Sequence, residues 1–226
     1  MEPQPVNRFW RTALYADVKL RTAGIPYCVI KSYGGNPKYA DGNLDIVVGR
    51  GLGRIYQRAF AADYLVTSYD RMKSVLYERN KLMIKPRDSD RIPLHLHSFA
   101  GWHNICFMPA ERILGNAIDL PLDGQSVRIA ERSDEARIFV CHIIFEQYRV
   151  KDWDLRFLAN SDFDDFAREH EIADIAPVRD AKAGPIALRH LRPIWRQYYR
   201  MRRGRDRISV WNRLLHWGYL VRRQLR

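Results

Sequence analysis

The chain has 226 residues, 46% of them hydrophobic and 12% aromatic, a composition that can bury a core and that excludes an intrinsically disordered protein. Its net charge of +12 comes almost entirely from residues 186–226, which hold twelve arginines, no lysine and one acid. The N-terminus MEPQPVNRFW lacks the segments of a secretory signal. No uninterrupted apolar stretch reaches about eighteen residues, the length expected of a membrane span. The three scattered cysteines favour a cytoplasmic protein with buried thiols.

The first half of the chain predicts a small mixed sheet flanked by helices, which is an α/β (α+β) fold. Apolar residues recur at helical spacing over residues 7–23 and again over residues 52–62. The apolar runs at 27–30 and 44–48 are continuous, as in strands that are covered on both faces. Further strands are expected at 64–69, 81–85 and 91–99, with the sequence PRDSD as a hairpin loop.

The second half of the chain is predicted to be helical. Residues 118–129 contain Pro121, Gly124 and β-branched residues, which indicates a loop or hairpin linker. We therefore predict an α/β domain at 1–108 and an all-helical domain at 109–226 with a basic end at 186–226. Helices are expected at 109–114, 133–148, 152–158, 162–171, 186–201 and 208–225.

Polar side chains are predicted to share one face of two strands. Asp41, Asn43 and Asp45 occupy every second position at the start of one strand, and His95 and His97 alternate with leucines in another. Because alternate strand residues point to the same face, neighbouring strands would bring these oxygen and imidazole groups together. The alternative is an ordinary Asp-Gly-Asn turn, with both histidines on the strand surface.

A Lys-Ser-Tyr-Gly-Gly sequence follows the first predicted strand. Ser32 and the amides after it can cradle a phosphate, and Lys31 can contact the same phosphate. The alternative is a simple turn at Gly34 and Gly35 that connects two elements.

These motifs together resemble nucleotidyltransferases of the polymerase-beta type, and more narrowly their bacterial and archaeal branch with a helical C-terminal domain. The resemblance covers roughly residues 10–160. It rests on VIKS at 29–32, NLDIVV at 43–48, LHLH at 94–97, and His142 followed by KDWDL at 151–155.

The resemblance implies a metal-dependent nucleotide site. In that family an Asp-x-Asp pair and a third Asp hold two divalent metals, usually magnesium, which bind a nucleoside triphosphate and activate a hydroxyl. Here Asp45 keeps its carboxylate, while Asn43 and His95 stand at the other two catalytic positions. An active protein would use magnesium or manganese, and imidazole favours manganese, iron or zinc. The residues implied to bind the nucleotide are Lys31, Ser32, Gly34 and Gly35.

Three outcomes stay open for this altered site. Asp41 can join Asp45, His95 and His97 in holding one softer metal, and an active protein would then transfer a nucleoside monophosphate to a hydroxyl or phosphate. The fold can instead bind a nucleotide without transferring it. In the third outcome the degenerate active site binds no cofactor, and the fold serves as the scaffold of a non-catalytic adaptor.

The C-terminal stretch 186–226 predicts two amphipathic helices with arginine on their polar faces. Arginine favours bidentate phosphate contacts, and the interleaved aromatics supply flat apolar surfaces. This predicts docking on an anionic membrane surface at the inner face, or on RNA or another nucleic acid, rather than a hairpin with solvated arginines. The residues expected to make contact are Arg196, Arg200, Arg202, Arg203, Arg222, Arg223, Trp211 and Trp217.

Overall fold

The fold is seen in a computed structural model that describes residues 7–35, 42–76, 78–102, 105–201 and Gly218. The chain divides into two compact units. The first contains the residues up to 101 together with 106–135, and the second contains 102–105 together with the residues from 136 onwards.

The elements up to residue 131 are mostly strands with helices between them. The first helix begins at Arg8 because the side chain of Asn7 accepts a hydrogen bond from the backbone N–H of Trp10 at 3.0 Å. In chain order the elements are α1 (Arg8–Thr22), β1 (Cys28–Ile30), β2 (Leu44–Val47), α2 (Leu52–Ala59), β3 (Tyr64–Leu65), α3 (Ser68–Leu76), β4 (Lys81–Pro86), β5 (Leu94–His97), β6 (Phe99–Trp102), β7 (Ile105–Pro109), α4 (Ala110–Asn116), β8 (Ile118–Leu122) and β9 (Gln125–Ile129).

Within the described part of the chain, seven strands form one mixed sheet in the order β3-β4-β5-β2-β1-β9-β8. Strand β2 lies parallel to β5, and β1 lies parallel to β9, whereas the other neighbours are antiparallel. Strands β6 and β7 form a separate two-stranded sheet. The predicted α/β class, with a mixed sheet and flanking helices, is confirmed.

The hydrophobic core of the first unit covers one face of the large sheet. Alternate residues of β2, Leu44 and Ile46, pack with the buried faces of α1 and α2. The other two residues of β2, Asp45 and Val47, point to the opposite face because side chains alternate along a strand. Asp45, one of the predicted site residues, therefore lies on this second face.

The strand predicted at 64–69 is wrong beyond Leu65. The hydroxyl of Thr67 accepts a hydrogen bond from the backbone N–H of Asp70 at 3.1 Å and donates to the Asp70 carboxylate at 2.6 Å. This reciprocal capping starts α3 at Ser68, in a region where the sequence analysis predicted no helix.

Residues 118–129 form a hairpin that belongs to the large sheet. Asp123 and Gly124 connect β8 to β9 with φ angles of 46° and 74°, as a tight two-residue hairpin turn requires. Strand β9 then pairs with β1 through Val29 and Ile129. The α/β unit therefore extends to Glu135, past the boundary that the sequence placed after residue 108.

Among its described residues, the second unit is mainly helical and has one pair of two-residue strands. In this unit the indole N–H of Trp195 donates to the carbonyl of Ile144 at 3.0 Å. From residue 132 the elements are α5 (Arg132–His142), a π-helical turn (Ile143–Gln147), β10 (Arg149–Val150), α6 (Asp152–Phe157), α7 (Asn160–Glu169), α8 (Ala176–Arg179), β11 (Gly184–Pro185) and α9 (Leu188–Met201).

Two further sequence-based expectations concern the cysteines and the membrane. Cys28 and Cys141 are buried and Cys106 is half-buried, and all three are free thiols. A search of the described helices finds none with the length and apolar character of a membrane span. The helix predicted at 208–225 lies outside the described residues.

Candidate metal centre

Strands β2 and β5 bring the predicted oxygen and imidazole groups together. The two strands run parallel, with Asp45 opposite His95 and Val47 opposite His97. Because residues two apart on a strand share a face, Asp45, His95 and His97 all project from the face opposite the hydrophobic core.

Four described side chains contact the buried carboxylate of Asp45. Its Oδ1 lies 2.7 Å from Nε2 of His97 and 3.3 Å from Nδ1 of His95. Its Oδ2 accepts a hydrogen bond from Nδ2 of Asn43 at 2.9 Å and lies 3.6 Å from Nζ of Lys31. The two oxygens thus have separate partners, with imidazole on one side and cationic or amide nitrogen on the other.

The protonation states of this cluster suit metal binding. Burial raises the pKa of Asp45, but the ammonium of Lys31 and the hydrogen bonds from His95 and His97 outweigh burial and hold the pKa well below its usual value. Burial lowers the pKa of His97 to about 4 and also lowers the pKa of His95, against the opposing effect of Asp45. Near neutral pH the site therefore holds one carboxylate and two neutral imidazoles, the forms that ligate metals.

The spacing of the donor atoms also suits one metal ion. One ligand atom from each of Asp45, His95 and His97 lies within 4.8 Å of the others. Metal–ligand bonds of about 2.1 Å would separate neighbouring donor atoms by about 3.0–3.4 Å, and the observed carboxylate–imidazole separations of 2.7 and 3.3 Å are close to this range.

The chemistry of the donor set favours a transition metal over a pair of magnesium ions. Two imidazoles and one carboxylate suit manganese, iron or zinc, whereas hard magnesium ions prefer several anionic oxygens. Among the described residues, Nδ1 of His97 is buried without a hydrogen-bond partner, so this ring has its polar contact only on the side that faces Asp45.

The turn after β1 is filled by a carboxylate that the sequence analysis did not place there. Glu135, buried at the start of α5, accepts hydrogen bonds from Oγ of Ser32 at 3.1 Å, from the backbone N–H of Tyr33 at 3.0 Å and from that of Gly34 at 3.1 Å. Lys31 and Tyr33 have φ angles of 60° and 53°, a left-handed conformation that is costly for residues with a side chain.

Glu135 therefore occupies donors that the family resemblance assigns to nucleotide phosphates. Burial raises the pKa of Glu135, while the hydrogen bonds from Gly34, Tyr33 and Ser32 oppose that rise. Glu135 is not among the site residues predicted from the sequence. No local signal links it to Ser32, because the contact joins residues 103 positions apart.

Comparisons with known proteins give little further detail. No protein-family model and no curated protein matches the sequence. Among solved structures, the chain is similar to an antigenic nucleotidyltransferase-like protein from Paracoccidioides brasiliensis. The two chains share 13% identity, the likeness covers 90% of each, and the TM-score is 0.42. The chemistry must therefore be inferred from the residues of this chain.

The remaining predicted site residues fall in different places. Gly35 has a φ angle of 91°, and a Cβ at this position would lie 3.1 Å from the side chain of Leu120, so a glycine fits there. Arg196 is exposed on α9, which also includes Arg200. The residues that lie outside the described part of the chain are Asp41, Arg202, Arg203, Trp211, Trp217, Arg222 and Arg223.

Proposed function

We propose that this chain is a nucleotidyltransferase-like protein that binds one divalent transition metal at Asp45, His95 and His97, and through it the phosphates of a nucleoside triphosphate. The convergence of a carboxylate and two neutral imidazoles on one sheet face carries the proposal. The nucleotide part rests on the resemblance of the strand motifs to nucleotidyltransferases, together with the cation of Lys31 beside Asp45.

Each contact of Asp45 has a role in this proposal. His95 and His97 supply neutral nitrogen donors. Asn43 binds Oδ2 and so leaves Oδ1 turned toward the histidines. Lys31 balances the carboxylate charge, and its ammonium is close enough to contact a phosphate bound beside Asp45. A bound metal would supply Lewis-acid polarisation of a phosphate oxygen.

The reaction class that fits this arrangement is transfer of a nucleoside monophosphate to a hydroxyl or phosphate. The donor set does not fit the two-magnesium arrangement of the resembled family, because Asp45 is the single carboxylate of the cluster among the described residues. We therefore assign one metal to the site.

Glu135 favours a second candidate, a non-catalytic adaptor that keeps the fold as a scaffold. Its carboxylate already accepts hydrogen bonds from Ser32, Tyr33 and Gly34. A protein that no longer binds triphosphate has no need to keep these donors open, and an internal acid would stabilise the turn instead.

Metal and nucleotide titrations separate the two candidates. Calorimetry and thermal shift with Mn²⁺, Zn²⁺ and Mg²⁺, with and without ATP, would compare the unmodified protein with Asp45→Asn and with the control Asp119→Asn, whose side chain is 64% exposed. A metal at a hundred times its Kd stabilises a fold by about 2.7 kcal/mol. We expect this gain with Mn²⁺ or Zn²⁺ in the unmodified protein and in the control, and its loss in Asp45→Asn.

The outcomes decide between the candidates. An additional shift with ATP that needs the metal supports the nucleotidyltransferase-like function. Metal binding without any effect of nucleoside triphosphates supports the adaptor. An unmodified protein that takes up none of the three metals overturns the metal centre itself.

A further inference from the structure

Helix α3 is inverted relative to an ordinary surface helix. Its one buried residue among those described is an acid, Asp70, at 3% exposure, whereas its apolar side chains are outside. Surface helices usually turn their apolar face toward the core and their charges toward water. The exposed apolar side chains of α3 are Tyr69 at 64%, Met72 at 47%, Val75 at 59% and Leu76 at 51%.

These four residues, which we call the α3 apolar face, lie on one side of the helix. At about 100° per residue they span an arc of about 120°, and Asp70 lies nearly opposite the middle of that arc. Arg71 borders the arc next to Val75, and Lys73 borders it next to Tyr69, each about 40° away. The α3 apolar face is therefore continuous and has a basic residue along each margin.

Polar contacts fix this orientation. The Asp70 carboxylate accepts a hydrogen bond from the hydroxyl of Thr67 at 2.6 Å and lies 3.7 Å from Nζ of Lys85. Lys73 pairs with the buried Glu78 at 3.2 Å. These charged and capping groups anchor the inner side of α3. Rotating the helix to bury its apolar side chains would break these contacts and leave Asp70 without its partners.

Within residues 65–85, the exposed charges beside the α3 apolar face have one sign. The two acids between residues 65 and 85, Asp70 and Glu78, are each only 3% exposed, while Arg71 and Arg79 are exposed. The surface beside the apolar side chains therefore presents positive charge. The basic residues of this segment are Arg71, Lys73, Arg79, Lys81 and Lys85.

We propose that the α3 apolar face docks this chain on an anionic lipid bilayer. An amphipathic helix with basic margins lies in the interface, with its apolar side chains among the acyl chains and its cations at the headgroups. Tyr69 has the apolar ring and polar hydroxyl that favour this depth. The nine residues of α3 extend about 14 Å, enough for shallow insertion and far short of a span.

Two other occupants fit the surface less well. A second copy docked face to face would bring Arg71 and Lys73 toward the same residues of its partner, with no exposed acid on α3 among the described residues to balance them. A nucleic acid would match the cations, but Met72, Val75 and Leu76 are not aromatic, so Tyr69 alone among the four side chains of the face could stack on a base.

Vesicle binding by the full chain tests the proposal. Phosphatidylcholine vesicles with and without phosphatidylserine would be mixed with the unmodified protein and with Met72→Glu/Val75→Glu. The matched control is Val18→Glu/Leu155→Glu, which alters apolar side chains that are 54% and 43% exposed on other helices. All variants keep residues 186–226, so any binding by that basic end is common to them.

We expect the unmodified protein and the control to bind the anionic vesicles, and the α3 variant to bind at least about tenfold more weakly, because two charges must enter the interface. Arg71→Gln should weaken binding to anionic vesicles alone. Circular dichroism and the melting temperature verify folding. Equal vesicle binding by the α3 variant and the control overturns the proposal. It is also overturned if ultracentrifugation shows that the unmodified protein is a dimer that the α3 substitutions dissociate. RNA binding that depends on Met72 and Val75 would overturn it as well.

Discussion

Glu135, at the start of α5, accepts a hydrogen bond from the hydroxyl of Ser32 at 3.1 Å, across 103 residues of sequence. The same carboxylate holds the backbone N–H groups of Tyr33 and Gly34. This contact fixes the turn that begins at Lys31, whose ammonium lies 3.6 Å from Asp45. Glu135 thus positions a residue of the candidate metal centre without touching that centre.

Removing the Glu135 carboxylate should destabilise the fold. Glu135→Ala leaves the buried Ser32 hydroxyl and two backbone N–H groups without their acceptor, which we expect to cost about 1–3 kcal/mol. Urea denaturation measures the loss. The control Glu111→Ala removes an exposed acid from the first turn of α4 and should cost about 1 kcal/mol or less. Equal losses in the two variants would show that the turn does not depend on Glu135.

The stability contribution of Glu135 should depend on pH. Burial raises its pKa in the folded state above the ordinary 4.5, so between the two values the folded protein binds more protons than the unfolded chain. Stability contributed by this group therefore falls as pH rises through that interval. The free energy of unfolding of the unmodified protein minus that of Glu135→Gln should decrease from pH 4 upward, and a flat or rising difference would contradict the raised pKa.

His95 should contribute directly to metal affinity. His95→Gln removes one imidazole donor from a half-buried position, and we expect at least a tenfold loss of Mn²⁺ or Zn²⁺ affinity by calorimetry. His190→Gln, at a half-buried histidine of α9, is the control and should leave the affinity unchanged. If the two variants bind metal equally well, His95 is not a ligand.

Trp195 should stabilise the helical unit through its contact with the π-helical turn. Trp195→Phe keeps an aromatic ring but leaves the buried carbonyl of Ile144 without the indole N–H, at an expected cost of about 1–3 kcal/mol. Trp153→Phe alters a half-buried tryptophan that lies under Lys151, and should cost less than about 1 kcal/mol. Chemical denaturation of both variants checks the difference.

Local periodicity accounts for the parts of the site that could be predicted. The rule that alternate strand residues share a face needs only neighbouring positions, and it correctly placed Asp45, His95 and His97 on one side of the sheet. The prediction takes the two strands as neighbours, and the parallel pairing of β2 with β5 agrees with it. Burial was not predictable in the same way, because it depends on which elements cover that face.

Three features escaped the sequence analysis for different physical reasons. Glu135 contacts Ser32 although the two residues lie far apart in the sequence, and no spacing rule detects such a contact. Helix α3 exposes its apolar side chains and buries Asp70, so the relation between hydrophobic periodicity and burial on which the analysis relied is reversed there. The hairpin of β8 and β9 was anticipated locally, but its pairing with β1 was not.

Because Asp45 lies on β2 and the two histidines lie on β5, the three metal donors come together only when these strands have paired. Parallel neighbours cannot be joined by a tight turn, and the polypeptide between Val47 and Leu94 forms α2, β3, α3 and β4. Asp45 therefore meets His95 and His97 only when β5 pairs with β2 across this long connection. Partly folded chains would lack the full set of donors. We therefore expect the rate of Mn²⁺ or Zn²⁺ capture during refolding to follow the pairing of β2 with β5.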